Sequence, residues 1–172
     1  MKEKNSLKER IITALFSRFP SLAEEWAKGF KAVRTEDIPW TPFAVKLSEC
    51  RVAMVTTAGV HLKNQDPFDM VDEEGDYTYR EIPGKAKNED LTITHKYYDH
   101  RDADKDINII YPIDRLREMA AAGEIGSVAA THFGFMGHIV GSKIESLLSK
   151  VAPEVANKLI SDEVDLVLLT PG

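Results

Sequence analysis

Short apolar runs separated by helical patterns predict an α/β fold for this chain. Residues 51–57 are apolar on both faces, which is typical of a buried parallel strand. Helical spacing of apolar residues covers 113–121 and 139–150, and Pro153 can open another helix at its first turn. Four further strands are predicted at residues 91–95, 107–112, 127–131 and 164–169. We therefore expect a three-layer domain with a mainly parallel sheet and helices on both faces, in an unknown strand order.

The first part of the chain has a different pattern. Apolar residues recur at helical spacing between Leu7 and Phe19, and a second short helix is predicted around Leu22, Trp26 and Phe30. Two prolines in residues 38–43 then predict an extended connector. We divide the sequence into an N-terminal helical segment, residues 1–37, and an α/β domain, residues 38–172.

Composition narrows the functional classes. The 172 residues match one domain of typical size. The 22 Lys and Arg against 28 Asp and Glu give a net charge of -6, which argues against binding to nucleic acid or anionic membranes. A single Cys excludes an intramolecular disulfide framework and Cys-rich zinc modules. We find no signal peptide and no apolar run of the ~20 residues that span a membrane, so a cytoplasmic location is expected.

Three histidines near predicted strand ends are candidate catalytic residues. His61 follows the first strong strand across a glycine turn. His132 and His138 enclose a predicted loop with two glycines, Gly134 and Gly137, of the kind whose backbone N–H groups hold anions. The alternative for each histidine is a hydrogen-bonded structural residue.

A polar cluster between His95 and Asp104 supplies candidate substrate-binding residues. We expect His100 and Asp102 to orient a group at the sheet edge, and Arg101 to bind a substrate carboxylate, with Gly134 as a fourth member. The alternative is a solvated loop. The spacing matches no established metal motif, so no metal site is expected. No dinucleotide or Walker pattern is present, and no bound cofactor is expected.

The last predicted strand leads directly to Thr170-Pro171-Gly172. In α/β folds a helix normally follows such a strand, and ligands bind beyond the carboxyl ends of the strands. Two explanations remain open at this point. Either the strand lies between neighbours at the natural end of the domain, or a functional segment is missing after it.

Several motifs in order resemble the selenoprotein B family of glycine, sarcosine, betaine and D-proline reductases. They lie at residues 38–43, 51–62, 66–68, 94–100, 108–116, 131–134 and 164–172. The resemblance implies a reactive selenocysteine or cysteine directly after the last strand, beyond Gly172. Because selenocysteine is encoded by UGA, we hypothesise that this chain is the part of such a protein upstream of that codon. Cys50 precedes a strand, so we do not transfer the redox role to it.

The resemblance also implies a function. The full-length protein would cleave a C–N bond of a small amino acid or N-methylated derivative by reduction, and the chain alone would be inactive. It implies a thioredoxin-like dithiol donor and a partner subunit that bears a pyruvoyl or other carbonyl group, and a homo-oligomer stays open. The main alternative is a non-catalytic α/β small-molecule-binding or interaction domain, complete as given. A metal-dependent lyase or hydrolase built on the His95–Asp104 cluster ranks last.

Overall fold

The computed structural model describes residues 11, 15, 16, 18–28 and 41–172. These residues form two compact units. The smaller unit joins the described part of residues 1–44 to residues 96–99, and the larger comprises residues 45–95 and 100–172. The smaller unit contains helix α1, Pro20–Ala27, in which proline occupies the first turn. The remainder of the predicted N-terminal helices, including Phe30, and residues 38–40 of the connector lie outside the described residues.

A mixed sheet built around strand β1, Arg51–Thr56, forms the centre of the larger unit. β7, Leu166–Thr170, pairs with β1 in parallel from Val52 to Thr56. β5, Ser127–Val128, and β6, Thr131–Phe135, are also parallel to β1. Val52 pairs with β5 on one side and with β7 on the other, and Thr56 pairs in the same way with β6 and β7. β5 and β6 therefore lie along one edge of β1, and β7 lies along the other edge. The prediction of a mainly parallel sheet is confirmed.

Two further pairings complete the strands. β3, Tyr79–Pro83, runs antiparallel to β6 in the main sheet. β2, Val60–Leu62, pairs antiparallel with β4, Leu91–Ile93, in a separate two-stranded sheet. The sequence pattern predicted β4 as an edge strand, whereas β2 was not predicted because its three residues follow a turn.

Helices cover both faces of the main sheet. Phe133 and Phe135 of β6 pack against Val151 and Val155 on one face. Side chains alternate along a strand, so His132 points to the other face, where its ring contacts Tyr111 just before helix α2, Ile113–Ala121. On the first face the helical elements are α3, Lys143–Ser146, a π-helical turn, Leu147–Val151, and α4, Ala152–Ser161. The α/β prediction is confirmed.

Residues 107–112 do not form the predicted strand. Residues 107–109 form a turn of 3-10 helix instead, capped by the Asp106 side chain, which accepts from the Asn108 backbone N–H at 3.0 Å. The Asn108 side-chain amide also donates to Asp106, at 2.9 Å. Such local side-chain hydrogen bonds offer the backbone an alternative to strand pairing, which explains why the apolar run was misleading.

The predicted glycine loop at residues 132–138 is also wrong in its first half. Residues 131–135 form β6, and Phe133 and Phe135 belong to the core. Gly134 is required because β2 crosses close above it: an added Cβ would lie 2.0 Å from the Val60 carbonyl oxygen. The following helix begins at Lys143 and not at residue 139. Among the described residues, no helix is long and apolar enough to cross a membrane.

Candidate functional site

The carboxyl ends of β1, β6 and β7 meet at one edge of the main sheet. Thr56 lies in register with Gly134 on β6 and with Thr170 on β7. Beyond this row, the Thr57 backbone N–H donates to the Thr170 carbonyl oxygen at 2.9 Å. Ligands of open α/β sheets bind beyond the carboxyl ends of parallel strands. We call this edge, with the residues that directly follow the three strands, the carboxyl-end site.

Gly59 connects the two sheets at this site. Its backbone N–H donates to the Phe135 carbonyl at 2.8 Å, and its own carbonyl accepts from Thr94 at 2.9 Å. Gly59 has a φ of +73°, and an added Cβ would lie 2.3 Å from the Thr94 carbonyl oxygen. Only glycine fits this left-handed, crowded position. The contact brings the end of β4, and with it His95, to the ends of β1 and β6.

His95 is the most strongly perturbed group of the carboxyl-end site. Its pKa is lowered to about 4, mainly by burial and in smaller part by the nearby His100 and His138. A hydrogen bond to the Met136 backbone acts in the opposite direction. His95 is therefore a neutral imidazole at pH 7. Sequence reasoning placed it in the polar cluster but did not select it, although its position at the end of a predicted strand was an available signal.

His138 follows β6 across Gly137 and also lies at this edge. Its Nε2 is 3.1 Å from the Glu73 carbonyl oxygen. A carbonyl can only accept a hydrogen bond, so Nε2 carries the hydrogen and donates. His100 donates through Nδ1 to Asp104 at 2.9 Å. The structure thus brings together His95, His100 and His138, of which the last two were predicted site residues.

His61 and His132, the other predicted catalytic residues, have buried contacts elsewhere. His61 on β2 donates from Nδ1 to the Leu62 carbonyl at 2.8 Å, and its Nε2 lies 2.8 Å from the Thr94 hydroxyl. His132 on β6 accepts the Met54 backbone N–H at Nδ1, at 2.9 Å. Burial lowers the pKa of both, that of His132 to about 4. These contacts match the structural alternative for each histidine.

The remaining predicted substrate-binding residues lie in an exposed turn and in β6. Asp102 forms an exposed ion pair with Lys105 at 2.7 Å. Arg101 belongs to the same exposed turn. Gly134 is buried inside β6 beneath Val60. His100 is close enough to His95 to lower its pKa.

Within the described part of the chain, no group of three or more His, Cys, Asp or Glu residues could hold a metal ion. The only cysteine of the sequence, Cys50, lies at the amino end of β1, and its side chain is fully buried. Its Sγ donates to the Lys46 carbonyl at 3.2 Å. Burial raises the pKa of this thiol, and Asp165 and Glu49 raise it further. Cys50 is therefore a protonated, inaccessible thiol at the opposite end of the sheet from His95 and His138.

Comparisons with known proteins show that the chain is similar to subunits of several reductases. The D-proline reductase subunit gamma of Acetoanaerobium sticklandii is 41% identical over 133 residues, which are 77% of this chain and 53% of that subunit. The glycine reductase complex component B subunit gamma of Carboxydothermus hydrogenoformans is 28% identical over 136 residues, 77% of this chain and 30% of that protein. The betaine reductase complex component B subunit beta of Peptoclostridium acidaminophilum is 27% identical over 165 residues, 94% of this chain and 36% of that protein.

The chain thus spans about half the length of the D-proline reductase subunit and about a third of the other two proteins. No solved structure matches it. The profile of the selenoprotein B family of glycine, sarcosine and betaine reductases matches residues 1–172, which is the whole chain. This protein therefore belongs to the glycine/sarcosine/betaine reductase selenoprotein B family.

Proposed function

We propose that this chain is one part of a reductase subunit of the selenoprotein B type. The whole protein would cleave a carbon–nitrogen bond of a small amino acid or N-methylated derivative by reduction. Its nucleophile would be a selenolate or thiolate in a segment beyond Gly172. The family match over the whole chain supports a reductase role, and the names of the relatives, D-proline, glycine and betaine reductase subunits, support a substrate of this class.

One observation carries this proposal: the carboxyl-end site has imidazoles but no thiol of its own. His95 and His138 lie where the ends of β1 and β6 meet, whereas Cys50 is buried at the other end of β1. In addition, the Thr170 hydroxyl at the end of β7 is buried and has no hydrogen-bond partner among the described residues. Buried polar groups normally have partners, so a further polar group at this edge would satisfy Thr170.

The overall reaction requires electrons, protons and a nucleophile. Reductive cleavage turns one C–N bond into one C–H bond and one N–H bond, and it consumes two electrons and two protons. A dithiol that closes to a disulfide supplies the electrons and the protons. The selenolate or thiolate would carry the covalent chemistry, because the anion is the nucleophile.

The histidines of this chain would transfer protons and orient the substrate. With Nε2–H held on the Glu73 carbonyl, His138 would take up at Nδ1 one of the protons that the dithiol releases and pass it to the departing nitrogen, a role for which imidazole is the commonest side chain. His95 is neutral at pH 7 and hydrogen-bonds to the Met136 backbone through its one N–H, so its other ring nitrogen could accept a hydrogen bond from a substrate N–H or O–H. His100, beside His95, and then Arg101 and Asp102 in the following turn remain candidates for binding the substrate carboxylate.

Partners are part of the proposal. A thioredoxin-like dithiol protein would regenerate the reduced nucleophile. The relatives are named as subunits of reductase complexes, which supports a partner subunit for this protein as well. We propose that this subunit bears a pyruvoyl or other carbonyl group, as the family resemblance implies.

The first test is to read the gene beyond the codon for Gly172. The proposal expects an in-frame UGA or cysteine codon, followed by an open frame that encodes a nearby cysteine. A different stop codon, or UGA with no coding potential after it, would contradict the proposed nucleophile. The alternative of a complete, non-catalytic binding or interaction domain would then be favoured.

The second test measures activity of the full-length gene product together with its partner subunit. We expect dithiol-dependent consumption of at least one of D-proline, glycine, sarcosine and betaine. His138→Gln keeps a donor that can reach the Glu73 carbonyl but cannot transfer a proton, so it should lower kcat about 100-fold or more. His61→Gln is the matched control, and it should change stability but leave kcat close to that of the unmodified protein. An unchanged kcat in His138→Gln would exclude the role proposed for His138.

A further inference from the structure

Residues 69–76 form a turn that is organised by its own carboxylates; we call it the acidic turn. Asp69 Oδ1 accepts the backbone N–H of Val71 at 2.7 Å and that of Asp72 at 3.2 Å. Asp72 Oδ1 accepts the backbone N–H of Glu74 at 2.9 Å. Asp76 Oδ2 closes the turn by accepting the Asp69 backbone N–H at 3.0 Å. The backbone between Asp69 and Asp76 is therefore held in a defined conformation.

The acidic turn is fixed to the segment that leads into α3. Lys143 Nζ donates to Asp72 Oδ2 at 2.5 Å and to the Gly75 carbonyl oxygen at 2.7 Å. The Ser142 hydroxyl donates to Glu74 Oε2 at 2.7 Å, and the Val140 backbone N–H donates to the Glu74 carbonyl at 3.0 Å. Lys143 is the one side chain in this set that contacts the turn at two places.

The Lys143–Asp72 pair is more than a surface contact. Both side chains are partly buried. Their hydrogen bond raises the pKa of Lys143 and lowers the pKa of Asp72, so each group stabilises the charged form of the other. Partly buried, hydrogen-bonded pairs of this kind hold geometry better than exposed ion pairs do.

The same turn carries the hydrogen-bond acceptor of His138. The Glu73 carbonyl, which accepts from His138 Nε2, lies between the two residues of the turn that are bound to the α3 segment, Asp72 and Glu74. Movement of the turn would therefore move this carbonyl. The ring orientation of His138, and the choice of nitrogen that carries its hydrogen, depend on the same contact.

We propose that Lys143 is a positioning residue for His138. By holding Asp72 and the Gly75 carbonyl, Lys143 fixes the Glu73 carbonyl, which keeps the hydrogen of His138 on Nε2 and the ring at the carboxyl-end site. This inference rests on the proposed function, because it gives a role to a residue that supports His138 without touching the substrate.

The direct test is a spectroscopic one on the 172-residue chain. The side-chain ¹⁵N and ¹³C shifts of His138 report which ring nitrogen carries the hydrogen. We expect the Nε2–H form in the unmodified chain, a mixture of both forms in Lys143→Met, and recovery of Nε2–H in Lys143→Arg. Lys158→Met is the matched control, since it breaks a similar ion pair, with Glu81 at 3.0 Å, on a different part of the fold. It should leave the His138 shifts unchanged.

A second variant tests the same inference in case Lys143→Met does not fold. Asp72→Asn keeps an oxygen for the Glu74 backbone N–H but removes the charge that pairs with Lys143. It should shift the His138 tautomer in the same direction as Lys143→Met. If Nε2–H persists unchanged in a folded Lys143→Met or Asp72→Asn protein, the inference is overturned.

Activity of the full-length protein separates this inference from the proposed function. If the unmodified protein reduces a substrate, Lys143→Met should lower kcat more than it raises KM, and Lys143→Arg should restore kcat. A tautomer shift in a full-length protein that reduces none of the substrates would contradict the proposed function and still support the Lys143–His138 relationship. An active protein whose kcat and His138 tautomer are both insensitive to Lys143→Met would overturn the inference alone.

Discussion

The His132 ring on β6 accepts the backbone N–H of Met54 on β1, with Nδ1 2.9 Å from the amide nitrogen. This contact lies at the break between β5 and β6, where residues 53 and 54 of β1 stand opposite residues 129–132. The imidazole supplies the acceptor that a backbone carbonyl would supply in an unbroken ladder. Because the His132 side chain is 0% exposed, water cannot replace it.

The first prediction concerns the stability that this contact provides. His132→Ala leaves the Met54 N–H unpaired and opens a cavity, so the free energy of unfolding should fall by about 2–5 kcal/mol. In His132→Asn the amide oxygen can take the place of Nδ1, and the loss should be smaller. Urea unfolding measures both variants. If His132→Ala unfolds at the same urea concentration as the unmodified chain, the structural role is wrong.

The second prediction is that stability falls on mild acidification. Burial lowers the pKa of His132 and of His95 to about 4, below the value of about 6.5 in an unfolded chain. Between these values the unfolded chain binds protons that the folded protein does not. Acidification from pH 7 to pH 5 should therefore cost up to about 2 kcal/mol per histidine, and the remaining loss should occur as the pH falls through the folded pKa of about 4.

Urea unfolding between pH 7 and pH 5 tests the second prediction, since most unfolded Asp side chains stay ionised in this range. Burial also lowers the pKa of His61, so it contributes to the loss as well. His132→Asn removes one of these titrating groups and should reduce the loss by up to about 2 kcal/mol. An equal loss of stability in the unmodified chain and in His132→Asn would mean that His132 is not responsible.

The third prediction compares two glycines. Gly134→Ala would force a Cβ to within 2.0 Å of the Val60 carbonyl oxygen, and backbone on both sides must move. We expect a loss of about 3 kcal/mol or more in the free energy of unfolding. Gly123 also has a positive φ, +73°, but an added Cβ meets nothing within 4 Å. Gly123→Ala should therefore cost only about 1–2 kcal/mol. Equal losses in the two variants would contradict the close approach of β2 to β6.

The elements predicted correctly from the sequence are those fixed by local patterns. β1 was predicted because its apolar residues serve both faces of a buried strand. α2 was predicted because its apolar stripe ends just before Gly123, whose positive φ suits the end of a helix. β7 was predicted from its apolar run, at nearly the observed bounds.

The features that were missed depend on contacts between distant parts of the chain. Gly134 resembles a loop glycine locally, and only the crossing of β2 explains it as a strand residue. His95 reaches the carboxyl-end site through the Gly59–Thr94 contact, which joins residues 35 positions apart. The burial of His61 and His132 likewise follows from the packing of the two sheets, which periodicity does not report. For this reason the pattern located strand ends, whereas it could not report the contacts of the histidines at those ends. The catalytic roles of His61, His132 and His138 stay predictions.

The last prediction concerns the outer edge of β7. Among the described strands, only β1 pairs with β7, so no described strand pairs with the second edge of β7. Leu168 and Leu169 on this strand are 36% and 71% exposed. Open, apolar strand edges promote association between chains. We expect the 172-residue chain to self-associate with rising concentration, and Leu169→Lys to reduce this association while it changes the free energy of unfolding by less than about 0.5 kcal/mol.

Sedimentation velocity over a concentration series measures this association. Val71→Lys is the matched control, because Val71 is an apolar side chain, 83% exposed, on a turn and not on a strand edge. It should leave the association unchanged. If Val71→Lys and Leu169→Lys weaken association equally, general hydrophobicity and not the β7 edge is responsible. A chain that stays monomeric at all concentrations would contradict the prediction, since it would mean that the unpaired edge of β7 does not recruit a second chain.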